Sequence, residues 1–102
     1  MTDDLQKAIK LFRNFKLDES EQLLQQIIKK DKENVEALVF LGKVYSRKQN
    51  YGKATNYFNK ALILDKDNLD AKIGIDLINS ILKLSNNYYY ENPYTDDDLY
   101  DF

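Results

Sequence analysis

The sequence predicts an all-α fold made of stacked helix hairpins, and three observations lead to this class. The segment from Asp31 to Ala37 returns 34 residues later as the segment from Asp65 to Ala71, a period typical of repeated helix pairs. Apolar residues recur three and four positions apart, which places them on one face of a helix. Between the two copies, small and large apolar residues alternate at helical spacings.

Five helices are expected from these apolar patterns, over about residues 3–14, 18–30, 35–48, 51–64 and 69–84. Asp18 precedes the second pattern, and Asn34 and Asn68 precede the third and fifth. Short polar side chains of this kind cap helix N-termini, because their oxygen accepts a hydrogen bond from a free backbone N–H group. We therefore expect these three residues to be N-caps.

The residue inventory excludes most kinds of catalytic and metal site. The 102 residues, enough for one small domain, include no Cys, His or Trp. Disulfides, thiolate or imidazole metal sites, and Cys-His or Ser-His catalysis are therefore ruled out. The three glycines, Gly42, Gly52 and Gly74, lie singly and form no phosphate-binding loop. We expect a protein that is not an enzyme and that binds no metal and no cofactor.

Charge is distributed unevenly along the chain. Residues 1–87 contain 15 basic and 12 acidic residues, a net charge of +3, whereas residues 88–102 contain five acidic residues and no basic one. The acidic segment would repel nucleic-acid phosphates, so we expect no nucleic-acid partner. The first residues are acidic where a secretory signal would be basic, and no run of eighteen apolar residues occurs. We expect a cytoplasmic protein with no membrane association.

Residues 34–68 also contain a motif of small and large residues at fixed spacing, formed by Leu41-Gly42, Tyr45, Ala54, Phe58 and Ala61. This motif resembles the tetratricopeptide repeat. The resemblance implies a right-handed superhelix of antiparallel helix hairpins, in which these residues pack between helices. It divides the chain into a first unit at 1–34, a second at 35–68, a capping helix at 69–84 and an acidic, tyrosine-rich tail at 85–102.

The resemblance further implies protein–protein interaction through a groove lined by the first helix of each pair. Carried over to this sequence, the groove residues are Leu5, Ile9, Phe12, Arg13, Val39, Phe40, Lys43, Arg47, Ile73, Leu77 and Ile81. Relatives that clamp chaperone carboxylates have Lys, Asn and Arg at sites that here hold Leu5, Ile9, Phe40, Asp70 and Gly74, so that clamp is not expected. An apolar groove with a few cations suits a peptide with apolar anchors and acidic residues.

The fifth helix and the tail suggest two further interactions, one through an exposed apolar stripe of the helix and one through the apolar residues of the tail. One stripe of this helix, Ile75, Ile78 and Leu82, is expected to face the preceding repeat, whereas the other, Ile73, Leu77, Ile81 and Leu84, would be exposed. The exposed stripe favours an alternative function, a self-assembling scaffold that forms homo-oligomers. The tail offers four anchors for the groove of its own or a neighbouring chain, Tyr94, Leu99, Tyr100 and Phe102. Both alternatives stay open at this point.

Overall fold

The computed structural model describes residues 3–89 of the chain, and the side chains of residues 3–84. This part of the chain contains five helices and no strand, which confirms the all-α class. The helices are α1 (Asp3–Arg13), α2 (Leu17–Lys30), α3 (Val35–Arg47), α4 (Tyr51–Leu64) and α5 (Leu69–Tyr89). The last helix extends five residues beyond its predicted end at position 84. This corrects the proposed limit of the capping helix, because residues 85–89 contain no proline or glycine that would break a helix.

Asparagine side chains cap three of the helices. The Oδ1 atoms of Asn34, Asn50 and Asn68 accept hydrogen bonds of 3.0, 3.3 and 2.9 Å from the backbone N–H groups three residues further on. The predicted caps at Asn34 and Asn68 are confirmed, whereas the cap at Asn50 was not predicted. The predicted cap at Asp18 is wrong, because α2 begins before it, at Leu17.

Two tight turns of the same kind join α1 to α2 and α3 to α4. Phe15 and Gln49, which are 34 residues apart, both have a φ of 63°, in the left-handed region. In each turn the next backbone N–H group donates a 2.9 Å hydrogen bond back into the preceding helix, from Lys16 to Leu11 and from Asn50 to Tyr45. This is the Schellman arrangement, which ends a helix abruptly. The turn between α1 and α2 leaves few residues between the two helices, and α2 therefore begins before Asp18.

Helix α3 lies at the centre of the fold and packs against α1, α2, α4 and α5. Eight of its 13 residues are buried. The packing residues predicted from the repeat motif, Leu41, Tyr45, Ala54, Phe58 and Ala61, are all among the buried core. A helix with neighbours on several sides buries residues that a helix covered on one side would expose.

The first helix pair is held together by a buried polar contact as well as by apolar packing. Ala8 and Leu24 are fully buried between α1 and α2. Ser20, also fully buried, donates a 2.8 Å hydrogen bond from its Oγ atom to the carbonyl oxygen of Ala8. This bond satisfies a hydroxyl group that would otherwise be costly to bury.

Helix α5 is covered on one side only. Ile78 is buried and Ile75 is partly buried against the core, as predicted. Leu82, which was expected to belong to the same packed stripe, is instead exposed. Ile73 and Leu77, on the other stripe, are 53% and 55% exposed.

Candidate peptide-binding surface

The predicted groove, called here the first-helix surface, is formed by α1, α3 and α5. These three helices contain all eleven predicted groove residues. The structure buries four of them, Leu5, Phe12, Val39 and Phe40, which have only 1–8% of their surface exposed. The prediction that Val39 and Phe40 line an open apolar trough is therefore wrong. Their burial follows from the central place of α3, which has helices packed around it on several sides.

The other seven predicted residues retain contact with solvent. Ile9, Lys43 and Ile81 are partly buried, whereas the remaining four are exposed: Arg13, Arg47, Ile73 and Leu77. The accessible part of the first-helix surface is thus cationic on α1 and α3 and apolar on α5.

Two buried aromatic rings and an arginine connect α1 to α3. The rings of Phe12 and Phe40 meet edge to face, with their centroids 5.5 Å apart and their planes at 81°. The guanidinium group of Arg47 lies 4.1 Å from the centroid of Phe12 and 4.9 Å from that of Phe15. Its Nη1 atom is also 3.5 Å from the carbonyl oxygen of Phe12, a long contact. Arg47, which was predicted to be a cation of an open apolar groove, thus lies over a buried aromatic ring.

Lys43 makes the equivalent connection from α3 to α5. Its Nζ atom lies 4.5 Å from the centroid of the Phe40 ring and 3.5 Å from Oδ2 of Asp70. Asp70 is in the first turn of α5, and Ile73 and Leu77 follow it at spacings of three and four residues. Because residues so spaced share one side of a helix, Lys43 of α3 adjoins the side of α5 that carries Ile73 and Leu77.

A polar network joins α2 to α3 and α4. The hydroxyl group of Tyr45 donates a 2.5 Å hydrogen bond to Glu21, and Gln25 donates to the hydroxyl oxygens of Tyr45 and Tyr57 at 3.4 and 3.1 Å. The two tyrosine rings stack with centroids 5.6 Å apart. Lys48 completes the network by donating to Glu21 at 2.6 Å and to Asp18 at 2.5 Å.

The network shifts the ionisation of its members. Burial raises the pKa of the Glu21 carboxyl, but the hydrogen bonds from Lys48 and Tyr45 outweigh that effect, so the pKa lies below its ordinary value of 4.5. Burial, together with the hydrogen bond to Glu21, raises the pKa of Tyr45 to about 12. Hydrogen bonds to Asp18 and Glu21 raise the pKa of Lys48. All three shifts favour the ionisation states in which these groups bind one another.

Sequence reasoning assigned Tyr45 to packing alone and did not find this network. Apart from Tyr57 of α4, its other members are charged or amide side chains from α2 and the end of α3, which a sequence pattern treats as ordinary solvated residues. No spacing signal identifies them, because their contacts depend on how the two helix pairs stack. The network joins α2 to α3 and α4 through side chains that bind one another, and it is therefore structural.

Other kinds of site find no support among the residues that the structure describes. Within residues 3–89, no group of acidic side chains has the arrangement of a metal site. A search of the same residues finds no helix long and apolar enough to cross a membrane. The four predicted tail anchors, Tyr94, Leu99, Tyr100 and Phe102, lie outside the described residues.

Comparison with known proteins agrees with the helix-pair geometry. The family model of the tetratricopeptide repeat matches residues 35–68, a segment that contains α3, α4 and the turn between them. A search of curated proteins finds no match to the chain. Tetratricopeptide repeats are non-catalytic modules that generally mediate protein–protein interaction. The chain thus contains, at residues 35–68, a segment that matches the tetratricopeptide repeat, within an all-α fold of helix hairpins.

Proposed function

We propose that this protein binds a peptide segment of a partner protein, with apolar anchors and acidic residues, in a groove along the first-helix surface. The observation that carries this proposal is the contact between Lys43 and Asp70, which links a cation of α3 to the helix that carries the exposed Ile73 and Leu77. The general function of the family, protein–protein interaction, supports it.

The apolar anchors of the peptide would bind on α5. Ile73 and Leu77 are more than half exposed, and Ile81 continues the same side of the helix. Exposed apolar residues that cluster in this way mark interaction surfaces, because burying them against a partner removes apolar area from water. The burial of Val39 and Phe40 restricts these anchors to one end of the groove.

The acidic residues of the peptide would bind on α3 and α1. Arg47 lies over the rings of Phe12 and Phe15, and Lys43 over that of Phe40, so both side chains are already ordered. A cation held in place loses little conformational entropy when a carboxylate binds to it. Arg13 adds a further exposed cation on α1. The ligand would therefore run across the repeats with its acidic part on α1 and α3 and its apolar part on α5.

A designed probe tests this proposal. The probe is a synthetic peptide with four aspartates at one end and two leucines and a tyrosine at the other, and the control peptide has lysines in place of the aspartates. We expect the acidic probe to shift the amide NMR signals of α1, α3 and α5 and leave those of α2 and α4 in place. Binding should weaken with added salt, because the charges are near the surface.

Matched variants distinguish the groove cations from basic residues elsewhere. Lys43→Met and Arg47→Met keep long side chains over the aromatic rings but remove the charge, so each should weaken probe binding several-fold without unfolding the protein. Lys29→Met, at an exposed position on α2, should leave binding unchanged. Equal loss of binding in all three variants, or equal binding of the lysine control peptide, would contradict the proposal.

A second candidate function is a self-assembling scaffold, and the exposed stripe of α5 favours it. If the chain dimerises through this stripe, Leu77→Glu should shift sedimentation equilibrium towards the monomer. Ile63→Glu, at a residue of α4 that is 82% exposed, is the matched control and should have no effect. A mass that stays monomeric over the micromolar range in the unmodified chain argues against the scaffold.

A further inference from the structure

One position on α5 lacks the covering helix that the equivalent positions of the two earlier repeats have. Leu5 in α1, Val39 in α3 and Ile73 in α5 are spaced 34 residues apart and are 1%, 2% and 53% exposed. Leu5 and Val39 each have the next helix of the stack beside them, because α3 packs beside α1 and α5 packs beside α3. No helix follows α5 within the part of the chain that the structure describes. Ile73 is therefore exposed because the next layer is missing.

Ile73 also begins an exposed apolar stripe of α5, called here the α5 end face, which consists of Ile73, Leu77, Ile81 and Leu84. Their spacings of four, four and three residues place them on one side of the helix. Leu84 is 69% exposed, Ile73 and Leu77 more than half exposed, and Ile81 partly buried. Exposed apolar residues along about three helical turns act as a docking surface.

Head-to-tail stacking of a second copy is a poor way to cover this face. In α3 the side that faces the preceding first helix carries Phe40, whose ring contacts Phe12. The repeat-equivalent residue of α1 is Gln6, which is exposed and polar. Lys10 likewise stands where α3 has the buried Val44. The α1 end of the fold thus has a polar surface that would not bury apolar side chains of another copy.

We infer that the α5 end face binds the chain's own segment 90–102. This segment contains Tyr94, Leu99, Tyr100 and Phe102 as apolar anchors, and five acidic residues with no basic one. Its acidic charge complements Lys43, which contacts Asp70 at the start of α5, and the exposed Lys72 and Lys83 on α5 itself, between which only Asp76 adds an acid.

The length of the segment permits this contact. Thirteen residues span up to about 43–47 Å when extended, whereas the helix rises only about 24 Å from Ile73 to Tyr89. The segment can therefore turn back and pass the whole end face within the same chain. As an intramolecular ligand it would act at an effective concentration on the order of millimolar.

The inference rests on the proposed function in one respect, because the segment 90–102 would compete with the external peptide for the first-helix surface. Lys43 and Asp70 connect the end face to the groove cations, so segment and external peptide cannot both occupy them. A segment site with an affinity of about 0.1 mM would weaken external binding about tenfold at that effective concentration. The protein would bind its partner only when the partner displaces the segment.

A spin-label experiment on the full chain tests the contact directly. Because the sequence contains no cysteine, Asp101→Cys provides a single attachment site for a nitroxide and leaves all four anchors intact. We expect paramagnetic broadening of the methyl signals of Ile73, Leu77 and Ile81. Ile63, exposed on α4, is the internal control and should stay sharp. Equal broadening of all four residues, or none, would overturn the inference.

Two further measurements separate the alternative occupants. When spin-labelled chains without isotopes are mixed with isotope-labelled chains without the nitroxide, only contacts between chains cause broadening. Broadening in this mixture would assign the face to a neighbour's segment and overturn the intramolecular contact. Concentration-dependent shifts of the Leu77 signals that persist in a chain ending at Tyr89 would assign the face to a second α5, with the same consequence.

Binding of the acidic probe peptide distinguishes this inference from the proposed function. Leu99→Ser combined with Phe102→Ser should release the segment and raise the affinity for the probe about tenfold. Thr95→Ser, within the same segment, is the matched control and should leave the affinity unchanged. If the probe binds equally to all three chains, the segment does not compete and only the inference fails. If it binds to none of them, the proposed function fails as well, whereas the spin-label result stands independently.

Discussion

The ring of Phe58 packs directly against the backbone of Gly74, so closely that a Cβ atom at position 74 would lie 2.5 Å from the ring Cζ atom. Gly42 approaches the same ring from α3, where a Cβ atom would lie 2.5 Å from Cε1. Phe58 is only 1% exposed and therefore has no free space to move into. Two glycines from successive first helices thus hold one aromatic ring of α4 between them.

Adding a methyl group at either glycine should destabilise the fold. We expect Gly42→Ala and Gly74→Ala each to lower the free energy of unfolding by up to about 2 kcal/mol, because an overpacking cost of about 1–3 kcal/mol opposes the roughly 1 kcal/mol gained in helix propensity. Urea unfolding measures the change. Gly52→Ala is the matched control, because a Cβ atom there meets nothing within 4 Å. A loss of stability in the control equal to that at Gly74 would contradict the packing argument.

Relieving the left-handed backbone at Gln49 should stabilise the fold. A non-glycine residue in this region costs about 1–2 kcal/mol, whereas glycine in the unfolded chain costs about 0.5–1 kcal/mol of extra entropy. We therefore expect Gln49→Gly to raise the free energy of unfolding by about 0.5–1 kcal/mol in thermal or urea unfolding. Lys66→Gly, in the exposed turn between α4 and α5 where φ is not positive, should lower stability instead. A gain in both variants would show that backbone strain is not the cause.

Removing an asparagine cap should weaken the helix that it begins. Asn34→Ala eliminates the 3.0 Å hydrogen bond to the backbone N–H of Ala37, and we expect a loss of about 1 kcal/mol. Asn59→Ala, in the exposed middle of α4, should instead gain a few tenths of a kcal/mol through helix propensity. Amide hydrogen exchange in the first turn of α3 should accelerate only in the first variant. Unchanged exchange there would argue against the cap.

The raised pKa of Tyr45 should make stability depend on alkaline pH. In the unfolded chain this tyrosine ionises near pH 10, whereas in the folded protein its pKa is about 12. The unfolded state therefore loses the proton first, so the contribution of Tyr45 is complete below pH 10 and is lost as the pH rises to about 12. Tyr45→Phe should flatten the fall in stability over this range and remove one late-titrating group from the tyrosinate absorbance. Tyr51→Phe is the control, and an identical pH profile for both variants would contradict the assignment.

The sequence was most informative where one position determines a local structure. Asn34 and Asn68 cap helices because their side chains bond to the backbone three residues away, a contact that depends on no other element. Asp18 looked equally suitable, but the tight turn through Phe15 moved the start of α2 ahead of it. The packing role of Phe58 was also predicted, since its spacing from Ala54 and Ala61 places all three on one side of α4.

The predicted groove was less accurate, because exposure depends on neighbours that a pattern does not identify. Val39 and Phe40 lie off the apolar seam that α3 shows in the sequence, so exposure was expected for both. In the fold, α1 and α5 flank α3 and cover them. The ring contacts of Arg47 could not be anticipated, since they join α3 to Phe12 of α1 and to Phe15 in the turn after it.

Local sequence patterns are enough to specify helix hairpins with a 34-residue period, because helical periodicity, caps and small-residue positions act over a few neighbouring residues. Which apolar residues remain in water depends instead on how the helices pack. That outcome depends on the number of layers stacked on each helix, and equivalent residues such as Val39 and Ile73 consequently have opposite exposures. The physical reason is that burial is a property of the assembled layers, whereas helix formation is a property of each segment.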